Sequence, residues 1–208
     1  MGESAGTMAI SAEQVKKLRE MTGAGMMDCK RALVEAGGDL SLAQDLLRRW
    51  GVASAAKRAG RTAVEGLIEA YVHMGRVGVL VEVNCETDFV ANTDEFRGLA
   101  RDLAMQVAAL DPWWISREDV PDEVVEHERK VYETQAIDQN KPDEVIARIV
   151  AGKLDAFYKE RCLLEQVFFK DPEQKRRVGD LITGLSAKVG EKIQVRRFVR
   201  YQRGEDQG

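Results

Sequence analysis

Val77, Val79, Val81 and Val83 recur at every second position of the run Val77-Gly78-Val79-Leu80-Val81-Glu82-Val83. β-Branched residues at a period of two favour an extended strand and put four apolar side chains on one of its faces. A slip of one residue would turn all four to the other face, so the need to cover them fixes the register of the sheet. Glu65-Gly66-Leu67-Ile68-Glu69-Ala70-Tyr71-Val72 precedes the run, and His73-Met74-Gly75 has the length of a hairpin loop. Residues 65–72 and 76–84 are therefore predicted to pair as antiparallel strands. The cover is predicted in the following helix, Thr93 to about Leu110, where Phe96, Leu99, Ala100, Leu103 and Val107 fall at i, i+3, i+4, i+7 and i+11. Lys192 to Tyr201 reads as a third strand. The expected fold class is α+β, a three-stranded antiparallel sheet packed with helices.

Before the sheet the period is helical. Ser11-Ala12-Glu13-Gln14 has the form of a capping box, and Val15, Leu18 and Met21 follow at helical spacing. Gly23 and Gly25 break the pattern. A second helix is expected from Met26 to Ala36, with Met26, Cys29, Leu33 and Ala36 on one stripe, ended by Gly37-Gly38. A third begins at Asp39 or Ser41 and carries Leu42, Leu46, Leu47 and Trp50. Three short helices make a small bundle over residues 8–52, near the lower size limit for independent folding. Residues 53–63, small and basic, read as a helical linker, and 64–204 as the larger domain. Residues 1–7 read as a disordered extension without the basic start and apolar middle of a secretory signal, with Met8 an alternative start.

Further along, Asp111-Pro112 ends the covering helix and Trp113-Trp114 opens a loop. Pro121-Asp122-Glu123 starts a charged, peripheral helix or helical hairpin to about Ile137, and Asn140-Lys141-Pro142-Asp143 turns the chain. A long helix to Arg161 carries Val145, Ile149, Val150, Leu154, Phe157 and Tyr158. Cys162 to Phe169 is apolar without a clear period. Lys170-Asp171-Pro172-Glu173 is expected to start the last helix, with Gly190 at its end.

The chemistry-bearing patterns are few. The 208 residues are 44% hydrophobic and 32% charged, which fits a folded, water-soluble chain, and no apolar run approaches a membrane span. A net charge of −4 argues against binding nucleic acid through bulk charge. Three cysteines far apart and two isolated histidines offer neither a disulfide framework nor metal-ligand spacing, so no metal and no cofactor are expected. Nucleotide-binding glycine motifs and hydrolase motifs are absent. Cys85, Glu86 and Asp88 cluster in sequence, but no neighbouring histidine activates the thiol. The chain is expected not to be an enzyme and to work in the cytoplasm through a protein or small-molecule partner. Thr87-Asp88-Phe89-Val90 stands at the end of the valine strand and just before the helix start Thr93-Asp94-Glu95. Two readings of it remain: Phe89 packs into the core behind a cap at Thr87 or Asp88, or Asp88 and Phe89 project as a wedge.

Leu18-Arg19-Glu20-Met21-Thr22-Gly23-Ala24-Gly25-Met26-Met27-Asp28-Cys29-Lys30-Arg31-Ala32-Leu33 and Glu82-Val83-Asn84-Cys85-Glu86-Thr87-Asp88-Phe89-Val90-Ala91-Asn92 resemble the two signatures of translation elongation factor Ts. The resemblance runs from about Met8 to Gly204. It implies a guanine nucleotide exchange factor for elongation factor Tu, with an N-terminal three-helix domain like ubiquitin-associated domains. It also implies that Thr87, Asp88, Phe89 and Val90 intrude beside the nucleotide and dislodge its magnesium ion. Leu18, Arg19, Thr22, Gly23 and Met26 are the residues expected to add a weaker contact from the first domain. One core unit instead of two implies the short bacterial type, paired as a homodimer through a strand edge or the Phe168-Phe169 stretch. No membrane and no direct nucleic-acid contact are implied. The closing arginines, Arg196, Arg197, Arg200 and Arg203, are expected as exposed charges on an edge strand, the alternative being that they face an acidic patch on elongation factor Tu or the second chain. Two other classes stay open: an adaptor using the first bundle alone, and an enzyme using Cys85.

Overall fold

The computed structural model describes residues 10–138 and 142–205. The expected N-terminal extension and the Asn140-Lys141 part of the turn lie outside these residues. Helices α1 (Ala12–Thr22), α2 (Met26–Glu35) and α3 (Leu40–Arg58) come first. Strands β1 (Glu65–His73) and β2 (Val77–Cys85) follow, then α4 (Asp88–Ala91), α5 (Asp94–Leu110), α6 (Asp122–Ile137), α7 (Asp143–Arg161), α8 (Val178–Val189) and β3 (Gln194–Gln202). The three strands form one antiparallel sheet in the order β1-β2-β3, as expected for an α+β fold.

The first three helices pack on a core of Val15, Leu18, Cys29, Ala32, Leu33, Ala36, Ala43 and Leu46. α1 starts from the capping box: the Gln14 amide donates to Ser11 Oγ and the Ser11 amide to Gln14 Oε1. Gly23, at φ 70°, closes the helix with its N–H on the Arg19 carbonyl. The expected stripe of α2 is corrected at one place. Met26 is exposed, because it sits in the first turn where the chain has just left the Gly25 cap. Leu42 likewise faces solvent, while Leu46 is buried. α3 does not stop near Trp50; it runs to Arg58.

By compactness the chain divides into two units. The first gathers the residues up to Leu67, Val83–Arg97 and Leu181–Gln194; the second gathers Ile68–Glu82, Gly98–Asp180 and the residues from Val195 on. The hairpin turn between β1 and β2 has Met74 and Gly75 both at positive φ, which matches the twist of the strands it joins. Val79, Val81 and Val83 are buried as the period-two reading requires, and so are Phe96, Leu99, Ala100, Leu103 and Val107 along α5. Among the strand residues of the second unit, Ile68 and Val72 of β1 and Leu80, Val199 and Tyr201 of β2 and β3 stay exposed.

In that unit the stretch Cys162–Phe169 is held by two buried amides. Gln106 Nε2 donates to Gln166 Oε1 and to the Val167 carbonyl, both at 3.1 Å, and its Oε1 accepts from the Phe169 amide at 3.0 Å. Gln166 Nε2 in turn donates to the carbonyls of Leu110 and Glu160. Every polar atom of the pair has a partner, which is what allows two glutamines inside an apolar core. The expected helix start at Lys170-Asp171-Pro172-Glu173 is not one. The Asp171 carboxylate accepts the amides of Lys175 (2.7 Å) and Arg176 (2.8 Å), so it caps a turn and α8 begins only at Val178.

Arg117 joins Asp155 and Glu165, both at 2.8 Å, and Arg177 reaches the same Glu165 oxygen at 2.7 Å. The closing arginines are only partly the solvated row expected. Arg197 pairs with Glu82 at 2.7 Å, whereas the Arg200 side chain is largely covered and pairs with Asp111 and Glu205.

Candidate functional site

β2 ends at Cys85, and the chain must turn within two residues to start α4. Thr87, in an extended conformation, makes that turn as the N-cap, its hydroxyl oxygen accepting the Val90 amide at 3.4 Å and its carbonyl the Ala91 amide at 3.2 Å. At the other end Asn92 Nδ2 donates to the Asp88 carbonyl at 2.9 Å, and the Thr93 hydroxyl to the Val90 carbonyl at 2.8 Å. Thr93 Oγ1 then accepts the Phe96 amide as α5 begins. A helix of one turn is thus closed by side chains at both ends.

Its four residues divide sharply. Val90 and Ala91 are buried and root the turn. Asp88 is exposed, and the Phe89 ring is 79% exposed. The reading in which Phe89 packs into the core is therefore excluded. Leaving such a ring in water forgoes the stabilisation its burial would bring. The Asp88 carboxylate has no hydrogen-bond partner among the described residues.

The turn is also tied from a distant part of the chain. Glu191 Oε2 accepts the amides of Glu86 and Thr87, each at 3.1 Å, and Glu191 Oε1 accepts the Thr87 hydroxyl at 2.6 Å. Glu86 answers by accepting the Lys192 amide at 2.6 Å and Arg61 Nη1 at 3.2 Å. These donors hold the Glu86 carboxyl below its usual range, the Lys192 amide contributing most. Lys192 Nζ donates to the carbonyls of Ala59 and Arg61, just past the end of α3, where a cation is favoured. Gly190, at φ 77°, ends α8 and sets Glu191 in place, and the Ser186 hydroxyl fixes the Glu191 carbonyl at 2.5 Å. Lys188 also pairs with Glu95 at the start of α5.

Cys85 lies beside this network, but its thiol donates to the Thr87 carbonyl at 3.1 Å. Burial first, and then the Glu191 charge, push its pKa up to about 11. A thiol held protonated and buried is not poised as a nucleophile. All three cysteines are free and buried. Among the described residues no group of histidine, cysteine or carboxylate side chains could hold a metal ion. The open groove of about 690 Å³ between α6 and α7 has a mainly apolar floor, with Ile137, Ile146, Val150 and Leu154. Among the described residues no helix is long and apolar enough to cross a membrane.

A sequence model of a protein family, described as Elongation factor TS, matches residues 45–178, Thr87–Val90 among them. The chain belongs to the elongation factor Ts family. The elongation factor Ts of Caldanaerobacter subterraneus subsp. tengcongensis is 60% identical over 197 residues, covering 94% of this chain and 98% of its own length. That of Carboxydothermus hydrogenoformans is 57% identical, over 94% and 90% of the two chains. That of Thermodesulfovibrio yellowstonii is 56% identical, over 96% and 99%.

Of the residues singled out in the first domain of this elongation factor Ts family member, Arg19, Gly23 and Met26 are exposed and Thr22 is half-buried. Leu18 is fully buried in the bundle core, so it supports that surface from beneath. Val90 has the same relation to Phe89. Sequence reasoning missed Met27, which is 73% exposed beside Met26. It also missed Glu191, because no local pattern connects a carboxylate with an amide 104 positions earlier.

Proposed function

We propose that this protein is the guanine nucleotide exchange factor for elongation factor Tu in translation elongation. Family membership supports the reaction, and one observation carries the mechanism: a solvent-facing Phe89 ring on a turn closed at both ends. In this reading the chain binds the GDP complex and the Phe89 ring enters the partner beside the nucleotide, with Thr87, Asp88 and Val90 framing it. The intrusion disturbs the coordination of the partner's magnesium ion. That ion neutralises the phosphates, so its displacement weakens GDP binding with no bond made or broken by this chain. Factor and GDP then oppose each other reciprocally, as linkage requires, and GTP can bind the emptied site. Arg19, Thr22, Gly23 and Met26, above Leu18, form a second and weaker contact; Met27 and Met21 beside them are exposed and adaptable apolar side chains.

Two copies of the chain are proposed to pair. Ile68 and Val72, exposed apolar side chains on the edge strand β1, favour that strand edge over the half-covered Phe168-Phe169 stretch as the surface used. A sedimentation measurement giving a monomer at micromolar concentration defeats this part.

The exchange reading is tested by release of a fluorescent GDP from elongation factor Tu. The parent protein is expected to accelerate release, and Phe89→Ala to lose most of the acceleration. Full acceleration by Phe89→Ala removes the wedge. No acceleration by the parent removes the function.

A further inference from the structure

We infer that Glu191 is a positioning residue for nucleotide exchange, acting through Thr87 to set the direction in which Phe89 projects. The inference rests on the exchange reading above and deepens it. α4 is four residues long, too short to hold its own orientation by helical hydrogen bonding. Its entry is instead fixed by one carboxylate that accepts three donors from two consecutive residues: the Glu86 amide, the Thr87 amide and the Thr87 hydroxyl.

The hydroxyl bond has a further consequence. Thr87 has one hydroxyl proton, and at 2.6 Å it is committed to Glu191 Oε1, which leaves a lone pair for the Val90 amide. Glu191 therefore orients the cap of the helix that carries Phe89, although it does not touch Phe89 itself. The strap is crossed, since Glu86 returns a bond to the Lys192 amide. The segment carrying Glu191 is anchored in turn by Ser186 on its carbonyl and by Lys192 on the carbonyls of Ala59 and Arg61. A displacement of roughly 1 Å in a positioned group can cost on the order of 100-fold in rate.

The experiment compares the full chain with Glu191→Ala, Glu191→Gln, Phe89→Ala and the Phe89→Ala/Glu191→Ala double variant. The readout is fluorescent GDP release from elongation factor Tu across a range of factor concentrations. Glu191→Ala is expected to lower the saturating rate by about tenfold or more, equivalent to ~1.4 kcal/mol, with little change in the half-saturating concentration. In the double variant the Glu191 substitution is expected to add nothing, because the only group it aims has been removed. Glu191→Gln keeps an oxygen for the two amides but cannot accept the Thr87 proton at the second position, so a several-fold loss is expected. It also serves as the variant of record if the alanine chain unfolds. A saturating rate equal to the parent's in Glu191→Ala or Glu191→Gln, while Phe89→Ala is impaired, overturns the inference and leaves the exchange reading intact. So does a Glu191→Ala effect that multiplies with that of Phe89→Ala. A parent that does not accelerate release, or a Phe89→Ala variant as active as the parent, overturns both.

Discussion

Gly66 and Gly98 make opposite predictions for the same substitution. Gly66 lies in β1 at φ 141°, and a β-carbon added there would stand 2.1 Å from the Val83 carbonyl oxygen and 2.7 Å from the Asn84 α-carbon. Both obstacles are backbone of the neighbouring strand, so no side chain can swing aside. The conformation itself costs an alanine about 1–3 kcal/mol, and forcing a methyl group into a packed site adds about 1–3 kcal/mol. Gly66→Ala is therefore expected to lose roughly 4 kcal/mol, a lowering of the melting temperature of about 8–16 °C in a chain of this size. Gly98 is exposed within α5, and a β-carbon there meets nothing within 4 Å. Gly98→Ala gains helix propensity of about 0.5–1 kcal/mol, or about 1–4 °C. Thermal unfolding followed by circular dichroism at one protein concentration measures both. Movement of the two melting temperatures in the same direction, or a Gly66→Ala shift under about 2 °C, would refute the assignment of Gly66 to a backbone close approach.

The three buried thiols should resist labelling. With Cys85 and Cys162 both pushed up to about 11 by burial and Cys29 raised as well, a thiol reagent at pH 8 is expected to modify less than one cysteine per native chain and all three in denaturant. A single fast-reacting native thiol would contradict this and revive Cys85 as a functional group. The Arg117 network gives a pH dependence. Hydrogen bonds from Arg117 hold Glu165 below its usual range; Lys159, then Arg117, do the same for Asp155. A carboxyl group whose folded pKa is depressed contributes stability that is complete above its unfolded value and disappears as pH falls through the folded value. Arg117→Ala should thus cost about 1–2 kcal/mol near pH 7, discounted because that side chain is still 35% exposed. The difference from the parent should shrink as the medium is acidified below about 4, which urea unfolding at several pH values would measure.

What could be read from the sequence depended on how local each determinant is. The valine row and the α5 stripe were legible because a repeat of two or of 3.6 is carried by neighbouring residues, and burial followed it at every named position but Val77, which is half-buried at the start of β2. The start of α8 was misread because Asp171-Pro172-Glu173 has the composition of a helix start. Only the geometry reveals that the Asp171 carboxylate is occupied by Lys175 and Arg176. The fate of Phe89 was open because a single helical turn is too short to show a period. The Glu191 strap had no signal at all, since its partners are brought together only by the turn after α8.

That strap bears on why one aromatic side chain could suffice in the proposed exchange reaction. Burying a phenylalanine ring against a partner is worth about 1.5–3 kcal/mol. Ordering the backbone of a floppy loop costs about 1–2 kcal/mol for each residue. A loop that had to order two residues on docking could lose the whole contribution of the ring. In α4 the ordering is complete before any partner arrives: Thr87 caps the entry, Asn92 and Thr93 close the exit, Val90 and Ala91 are rooted in the interior, and Glu191 holds the turn from outside. The ring is the part left uncovered, so what it gains on insertion can be spent on displacing the magnesium ion instead of on folding its own support.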